Sequence, residues 1–356
     1  MREKGVMTLC TSPLKGFIKG FTESGKKDLL IVPYTVDHVD IDSFGKRYYR
    51  TDAFHAYKDS LDEWIPIPCG QCVECRLQRS RQWADRCMLE MQYHKESYFI
   101  TLTYDDEHLP KNEIIDEDTG EIISVSTLVK KDLSGFVKRV RRYQEYDGFK
   151  QPIRFYGCGE YGSETLRPHF HVILFGLHLP KDGFRLYRQN FNGDNLYNHD
   201  FLDRCWKNGY SVVGEVTWQS CAYVARYIMK KQLGKGASDF YEDRGISPEF
   251  TLMSRRPGIA REYYDEHKDE LFNQDFVHVP THQGAKRIYP PRYFEKLFDV
   301  DYPSDLVDAR KEKRKQDAIM STDLELSKTS LDYLDYLNVK DYNLKCKVES
   351  LKRPDV

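Results

Sequence analysis

The sequence predicts an α+β fold in which a central antiparallel sheet is flanked by helices. Four short runs are rich in β-branched and aromatic residues, as strands are: "SYFITLTYDD", "PIRFYGCGEYG", "HFHVILFGL" and "YSVVGEVTW". Two other segments place apolar residues at helical spacing. The chain has 356 residues, of which 40% are hydrophobic and 13% aromatic, so it can bury a core, and disorder throughout is excluded.

The chain is expected to comprise an N-terminal segment (1–95), a central domain (96–235) and a mostly helical C-terminal extension (236–356). Residues 1–68 contain scattered Gly, Pro and Tyr and predict no definite architecture. A cysteine-rich knuckle and a helical pattern follow, and then the first strand run. A hairpin is predicted around Thr119-Gly120.

The next helix is predicted in "LVKKDLSGFVKRVRRYQEY", and a later one in "CAYVARYIMKKQL", capped by Ser220 and ended by Gly234. Beyond residue 303, mixed charges are typical of a solvated helix face. In the first of these helices the apolar positions predicted to face inward are Leu128, Leu133, Phe136, Val137 and Val140.

Charge and hydropathy limit the classes of partner. The formal net charge is −2, so any phosphate-binding surface must be local. No apolar run is long enough to span a bilayer, and the first 20 residues lack a continuous apolar signal core. We therefore expect a soluble intracellular protein without a membrane partner.

Two histidines occupy one face of a predicted strand in "RPHFHVILFGL". Residues i and i+2 share a face, so His169 and His171 point the same way and Phe170 the other. The simplest explanation is two histidines that hydrogen-bond neighbours at a sheet end. However, a hairpin would bring Glu160 beside them, and two imidazoles with one carboxylate suit Mn²⁺ or, with more retained water, Mg²⁺.

A row of tyrosines ends in lysines on the predicted helix "AYVARYIMKK". Tyr223 and Tyr227 are four residues apart and Lys230 is three further on, all near one stripe. Tyrosines that cover the core with their rings would explain this pattern. A nucleophilic tyrosine would need a nearby cation and a metal-polarised electrophile, because its ordinary pKa is about 10.

Cysteines are crowded in "PCGQCVECRLQRSRQWADRC". Nine cysteines without a signal peptide disfavour a disulfide framework. Cys69, Cys72 and Cys75 are spaced C-x₂-C-x₂-C, and Cys87 follows, so four thiolates could hold a structural Zn²⁺. The alternative is a set of buried free thiols.

A basic stripe accompanies the helix of residues 130–146. Such a stripe can neutralise phosphates while Tyr and Phe stack on unpaired bases, or it is an ordinary solvated helix face. The residues predicted to bind DNA are Lys138, Arg139, Arg141 and Arg142.

Three motifs occur in the order found in one family. "RPHFHVILFG" resembles the HUH motif of rolling-circle replication initiators, "YVARYIMKK" their paired-tyrosine motif, and "FITLTYDDEHLP" their first strand motif. "PCGQCVECRLQRSRQWADRCMLE" resembles the N-terminal part of the initiators of gokushoviruses, single-stranded DNA phages of the microvirus group. The resemblance covers roughly residues 68–235.

The resemblance implies a fold, a ligand set and a reaction. The fold is a sheet of about five antiparallel strands with the HUH strand central and the tyrosine helix across it. His169 and His171 would bind the metal, with Glu160 as third ligand, while Tyr223 and Tyr227 would be nucleophiles and Lys230 a supporting cation.

The implied reaction is nicking and joining of single-stranded DNA at a phage origin, through a 5′-phosphotyrosine and a free 3′-hydroxyl. It would take place in the host cytoplasm. The sequence contains no convincing phosphate-binding loop, so a host helicase and polymerase would be partners. Two other functions stay open, a zinc-stabilised nucleic-acid-binding regulator without catalysis and a metal-dependent hydrolase without a covalent intermediate.

Overall fold

A computed structural model describes residues 10–23, 25–115, 119–162, 165–190, 193–226, 236–281 and 284–350. The strands are β1 (Leu14–Phe21), β2 (Lys27–Pro33), β3 (His38–Ile41), β4 (Arg47–Arg50), β5 (Asp59–Leu61), β6 (Trp64–Ile67), β7 (Ser97–Tyr104), β8 (Lys111–Ile115), β9 (Ile122–Ser126), β10 (Arg154–Tyr161), β11 (Pro168–Phe175), β12 (Phe184–Gln189), β13 (Asn195–His199), β14 (Gly209–Glu215), β15 (Phe250–Met253), β16 (Val277–Thr281) and β17 (Gly284–Ile288). The α-helices are α1 (Val73–Met91), α2 (Lys130–Tyr146), α3 (Asp200–Cys205), α4 (Trp218–Arg226), α5 (Ala237–Glu242), α6 (Arg261–Gln274), α7 (Arg292–Asp301), α8 (Ser304–Leu326) and α9 (Tyr333–Ser350).

The described residues divide into two compact units. One lies within Met1–Arg76 and Tyr302–Lys352, and the other within Leu77–Asp301. The first unit therefore combines both ends of the described chain. The division at about residues 95 and 235 that the sequence suggests stays a prediction.

An antiparallel sheet forms the centre of the second unit. Its strand order is β12-β13-β14-β7-β11-β10-β15, so β11 is flanked by β7 and β10. The predicted α+β class is confirmed, but the sheet has seven strands instead of about five. The additional strands are short, and β12 and β15 are edge strands whose residues are mostly exposed or half-buried.

The two faces of this sheet are distinct because side chains alternate along each strand. We call them the Phe170 face and the His169 face. On the Phe170 face, Val172 and Phe170 are fully buried in one cluster with Phe136 and Val140 of α2. Burial of each such side chain contributes roughly 1.5–3 kcal/mol, so α2 is held on this face.

A glycine allows close packing on the Phe170 face. A Cβ added at Gly159 of β10 would lie 2.8 Å from the ring of Phe250 and 3.1 Å from Leu128. The ring of β15 therefore lies directly over the backbone of β10 at this residue, next to Glu160.

The His169 face is covered by α1 and α4. The indole of Trp83 in α1 stacks on Tyr156 of β10, with ring centroids 4.6 Å apart. Trp218 at the start of α4 donates its Nε1–H to Asp85 of α1 at 2.7 Å. These contacts fix α4 above the strand that carries Glu160.

Helix α4 begins earlier than predicted. Thr217 Oγ1 accepts a hydrogen bond from Ser220 N (3.0 Å), and Ser220 Oγ accepts one from Thr217 N (2.8 Å). This reciprocal pair is of the capping-box type and makes Thr217 the cap. The prediction that Ser220 caps the helix is wrong, and the predicted end at Gly234 lies outside the described residues.

The first unit contains two small sheets, ordered β2-β1-β6 and β4-β3-β5. Phe17, Val32 and Val39 are buried between them. The C-terminal helices belong to the same unit, where Thr11 Oγ1 donates a hydrogen bond to Asp341 of α9 at 2.5 Å. In the part of the chain that the structure describes, no helix is both long enough and apolar enough to span a bilayer.

Candidate active site

Three predicted side chains meet across two neighbouring strands. Glu160 of β10 lies directly opposite His169 of β11, and Cys158 lies opposite His171. Because paired residues share a face, the carboxylate and both imidazoles project from the His169 face. Glu160 and His171 are almost completely buried, and the His169 side chain is 17% exposed.

Both imidazoles approach one carboxylate oxygen. The Nε2 atom of His169 lies 2.6 Å from Glu160 Oε1, and that of His171 lies 3.2 Å from the same oxygen. Burial raises the pKa of Glu160, but contacts with His169 and His171 outweigh it and hold this pKa below its ordinary value. The carboxylate is therefore charged at neutral pH.

The Nδ1 atoms of the two imidazoles, on the side away from Glu160, also have hydrogen-bond partners. Nδ1 of His169 lies 3.1 Å from the carbonyl oxygen of Arg167, and Nδ1 of His171 lies 3.0 Å from Thr101 Oγ1 on β7. A carbonyl only accepts, so Nδ1 of His169 is the nitrogen that donates to Arg167, and Nε2 is the nitrogen that faces Glu160. A cation bound there would stabilise this arrangement, and metal-binding histidines are usually oriented in this way. The donor set fits a divalent metal.

Tyr223 of α4 lies against the same group. Its ring packs edge-on against His171, with centroids 5.2 Å apart at 78°, and also contacts Phe99. The ring of Phe99 in turn stacks on His171 at 5.5 Å. The structure therefore places one of the two predicted tyrosines beside the His-Glu group. Tyr227 and Lys230 lie outside the described residues.

The predicted basic stripe is not at this site. Lys138, Arg139, Arg141 and Arg142 lie on α2, which packs on the Phe170 face. Arg139 and Arg141 donate to the carbonyl oxygens of Cys205 and Ile153, respectively, and the Arg142 guanidinium donates to Tyr146 Oη. Lys138 is exposed. Their binding to DNA stays a prediction, for which the salt dependence of oligonucleotide binding is the test.

Two residues near the site were missed from the sequence. Tyr210 of β14 and His169 both pair with Thr103 of β7, so all three project from the His169 face. Tyr210 is 67% exposed. Arg167 donates to the carbonyl of Tyr104 and pairs with Asp106, each at 2.8 Å. Arg167 begins the motif that contains the two histidines, whereas Tyr210 belongs to no motif and only the strand register shows its position.

A four-cysteine group forms in the first unit. The sulfur of Cys10 lies 3.5 Å from that of Cys69 and 3.8 Å from that of Cys72, and Cys75 completes the group. With Zn–S bonds of about 2.3 Å, tetrahedral ligands are ~3.8 Å apart. The backbone N–H groups of Cys72 and Cys75 donate to the sulfurs of Cys69 and Cys72, respectively, and hydrogen bonds from the Cys10 and Cys75 thiols hold the pKa of Cys72 below its ordinary value.

Cys10 therefore replaces Cys87 in the predicted ligand set. Cys87 is fully buried in α1 beside Cys221, and this burial and contact raise the pKa of its thiol well above the ordinary value. For Cys87 the alternative of a buried free thiol applies. The fourth member was missed because Cys10 is 59 residues from Cys69 in the sequence.

Comparison with known proteins gives one consistent family. A family model for replication-associated proteins of the ORF2 type matches residues 97–232, which include the whole His-Glu group and Tyr223. The chain is 32% identical over 290 residues to the replication-associated protein ORF2 of Spiroplasma virus 4, covering 81% of this chain and 85% of that protein.

Two further phage proteins are similar to this chain. It is 31% identical over 240 residues to the replication-associated protein VP4 of Bdellovibrio phage phiMH2K, covering 67% of this chain and 69% of that protein. It is 35% identical over 186 residues to the replication-associated protein ORF4 of Chlamydia phage 1, covering 51% of this chain and 42% of that protein. No solved structure matches the chain significantly.

Proposed function

The chain belongs to the family of phage replication-associated proteins, and from this membership we propose that it starts rolling-circle replication by nicking and rejoining single-stranded DNA at a phage origin. It would act in the host cytoplasm, with a host helicase and polymerase as partners. The observation that carries the proposal is the contact of Tyr223 with His171, whose Nε2 lies 3.2 Å from Glu160.

Glu160, His169 and His171 are the proposed ligands of Mg²⁺ or Mn²⁺. When bound, the ion supplies Lewis-acid polarisation of a phosphodiester. The protein holds the ligands ready, because Thr101 and the Arg167 carbonyl orient the rings before any substrate binds.

The proposed chemistry exchanges one phosphodiester for another. A tyrosine Oη attacks phosphorus, the O–P bond of a 5′-phosphotyrosine forms, and the P–O3′ bond breaks. The phenol loses its proton to solvent, and the leaving 3′-oxygen takes one up. Since a phosphodiester is conserved, the ends can be rejoined without ATP, and the free 3′-hydroxyl can prime synthesis.

Two tyrosines allow successive rounds. After one round of copying, the first tyrosine is still esterified, so a second must attack the regenerated origin. Tyr223 and Tyr227 are the proposed pair, and Lys230 is the proposed cation that favours phenolate. The spacing of four residues places the two phenols on one face if the helix continues.

One gel experiment distinguishes this function from the two alternatives, a hydrolase and a non-catalytic binding protein. Labelled single-stranded origin DNA is incubated with the protein and Mn²⁺ and resolved under denaturing conditions. We expect labelled DNA to migrate with the protein as a covalent adduct. Cleaved DNA without an adduct would instead show a hydrolase, and a shift seen only in native gels would show a binding protein without catalysis.

Tyr210 is proposed to stack on a DNA base next to the site. Its ring is exposed on the His169 face, and base–aromatic stacking contributes about 1–3 kcal/mol. We expect Tyr210→Ala to weaken binding of single-stranded DNA by roughly 5- to 150-fold, measured by fluorescence anisotropy. Tyr187→Ala, at a half-exposed tyrosine of the edge strand β12, is the control. Equal affinities of the two variants would contradict the assignment.

The four-cysteine group is proposed to bind a structural Zn²⁺ through Cys10, Cys69, Cys72 and Cys75. Structural zinc in small domains contributes about 10–16 kcal/mol of apparent binding free energy. We expect Cys72→Ser to lose one zinc per chain in native mass spectrometry and to melt at a clearly lower temperature. Cys346→Ser, at an exposed cysteine of α9, should retain the metal. An active wild-type protein with the apo mass would remove this proposal.

A further inference from the structure

A second group of metal-ligand type lies in the first unit, apart from the cysteines. His38 and Asp40 project from the same face of β3 because they are two residues apart. His55, from the connection between β4 and β5, reaches the same place. One ligand atom from each of these residues lies within 4.8 Å of the other two.

The distances in this group exceed those of hydrogen bonds. Asp40 Oδ1 lies 3.4 Å from His38 Nε2 and 3.6 Å from His55 Nδ1, whereas N–H···O bonds are about 2.7–3.2 Å. Tetrahedral ligands at about 2.0 Å from Zn²⁺ are ~3.3 Å apart. The two measured separations are therefore close to those of a metal coordination shell.

Burial makes this arrangement costly without a ligand. The side chains of His38 and Asp40 are 4% and 0% exposed. Among the described residues, neither His38 Nε2 nor Asp40 Oδ1 has a hydrogen-bond partner, although both atoms are buried. An unsatisfied buried polar atom costs about 1–3 kcal/mol, so a cation held between these two facing atoms would be stabilising.

The second oxygen of the Asp40 carboxylate already accepts two hydrogen bonds. Asp40 Oδ2 accepts hydrogen bonds from Arg50 Nε at 3.1 Å and from Ala56 N at 2.9 Å. These contacts fix the carboxylate and leave Oδ1 directed at the two rings. The imidazoles of His38 and His55 stack with centroids 3.8 Å apart, and one nitrogen of each ring lies within 3.6 Å of Oδ1.

We propose that His38, Asp40 and His55 form a binding site for a divalent transition metal, with Zn²⁺ as the preferred ion. Two imidazoles and one carboxylate can hold several divalent metals, and the separations of 3.4 and 3.6 Å in this group are close to the ~3.3 Å between tetrahedral Zn²⁺ ligands. A water molecule would supply the fourth ligand, because the site is open to solvent at His55, which is 45% exposed. The metal would hold residues 51–58, all of which are exposed, against β3. This inference does not depend on the nicking activity.

Zinc content tests the site in the full-length protein. Wild-type protein is loaded with Zn²⁺ and dialysed, and an organomercurial is then added, which releases zinc from thiolates but not from imidazoles. We expect the His38 group to hold one mercurial-resistant zinc per chain, counted as the difference between the wild type and His55→Ala, because the His-Glu group can hold another. In His55→Ala this resistant zinc should be lost, or bound at least tenfold more weakly, while the thiolate-bound zinc is retained.

The control variant is His267→Ala. His267 has a side-chain exposure of 40% and a carboxylate neighbour, Glu270, at 3.9 Å, but it belongs to no three-ligand group among the described residues. It should retain the resistant zinc. Asp40→Asn, which keeps the side-chain shape, should also lose that zinc. Absence of resistant zinc in the wild type, or its full retention in His55→Ala, would overturn the proposal.

Discussion

Replacement of Tyr223 and Tyr227 together by Phe is expected to abolish the covalent protein–DNA adduct. Phenylalanine lacks the Oη atom that forms the bond to phosphorus, so neither position can attack. Each single variant should still form an adduct through the remaining tyrosine. The measurement is the denaturing gel with labelled origin DNA and Mn²⁺.

The substitution at Tyr223 preserves the packing around it. The ring contacts His171 and Phe99 in T-shaped arrangements, and Phe supplies the same ring. Tyr223→Phe should therefore melt like the wild type, and the melting temperature of the double variant is measured alongside the gel so that loss of the adduct reports on chemistry. Tyr342→Phe, at a tyrosine of α9 that is 68% exposed, should form the normal adduct. An adduct in the double variant would disprove the assignment of both nucleophiles.

Glu160→Gln is expected to reduce metal-dependent nicking by about 100-fold or more. The amide keeps the shape of the side chain but removes the negative charge shared by His169 and His171. Metal polarisation of a phosphoryl oxygen contributes several kcal/mol, and each 1.36 kcal/mol corresponds to about tenfold in rate. Nicking rates are measured across a Mn²⁺ titration, and excess Mn²⁺ should restore part of the rate.

A matched substitution distinguishes loss of a metal ligand from a general effect of replacing a glutamate that contacts a histidine. Glu96, the residue before β7, also contacts a histidine, His178, at 3.3 Å, but its side chain is more exposed than that of Glu160. Glu96→Gln should nick at the wild-type rate. His169→Asn provides a second change in the proposed ligand set and should reproduce the Glu160 defect. If Glu160→Gln nicks normally at low Mn²⁺, the ligand set is incorrect.

The central elements were predictable because their patterns are local. Strands β7, β10, β11 and β14 are short runs rich in β-branched and aromatic residues, and the inward positions predicted for α2, including Leu133 and Phe136, are buried. The hairpin around Thr119-Gly120 joins β8 and β9, where Gly120 has a φ of 72°. Glu160 could be placed beside His169 because a hairpin connects their strands.

Other features depend on contacts that no local pattern encodes. The described part of residues 1–68 forms strands of three to eight residues, most too short to show a period. Cys10 joins cysteines that are 59 to 65 residues away, and Thr11 contacts Asp341. The placement of α2 on the Phe170 face likewise depends on which side of the sheet its apolar stripe meets. The basic stripe could therefore be found from the sequence, but the sequence could not show that it lies on the face of the sheet opposite to the histidines.

The pairing of Glu160 with His169 has a consequence for how this protein can tolerate insertions and deletions. The carboxylate and the imidazoles come from strands, so their spacing is set by the ladder of backbone hydrogen bonds. A shift of one residue in either strand would turn a ligand to the opposite face, while length changes confined to the loop would leave the ladder intact. Natural variation in length should therefore accumulate in the β10–β11 turn and be nearly absent from the two strands.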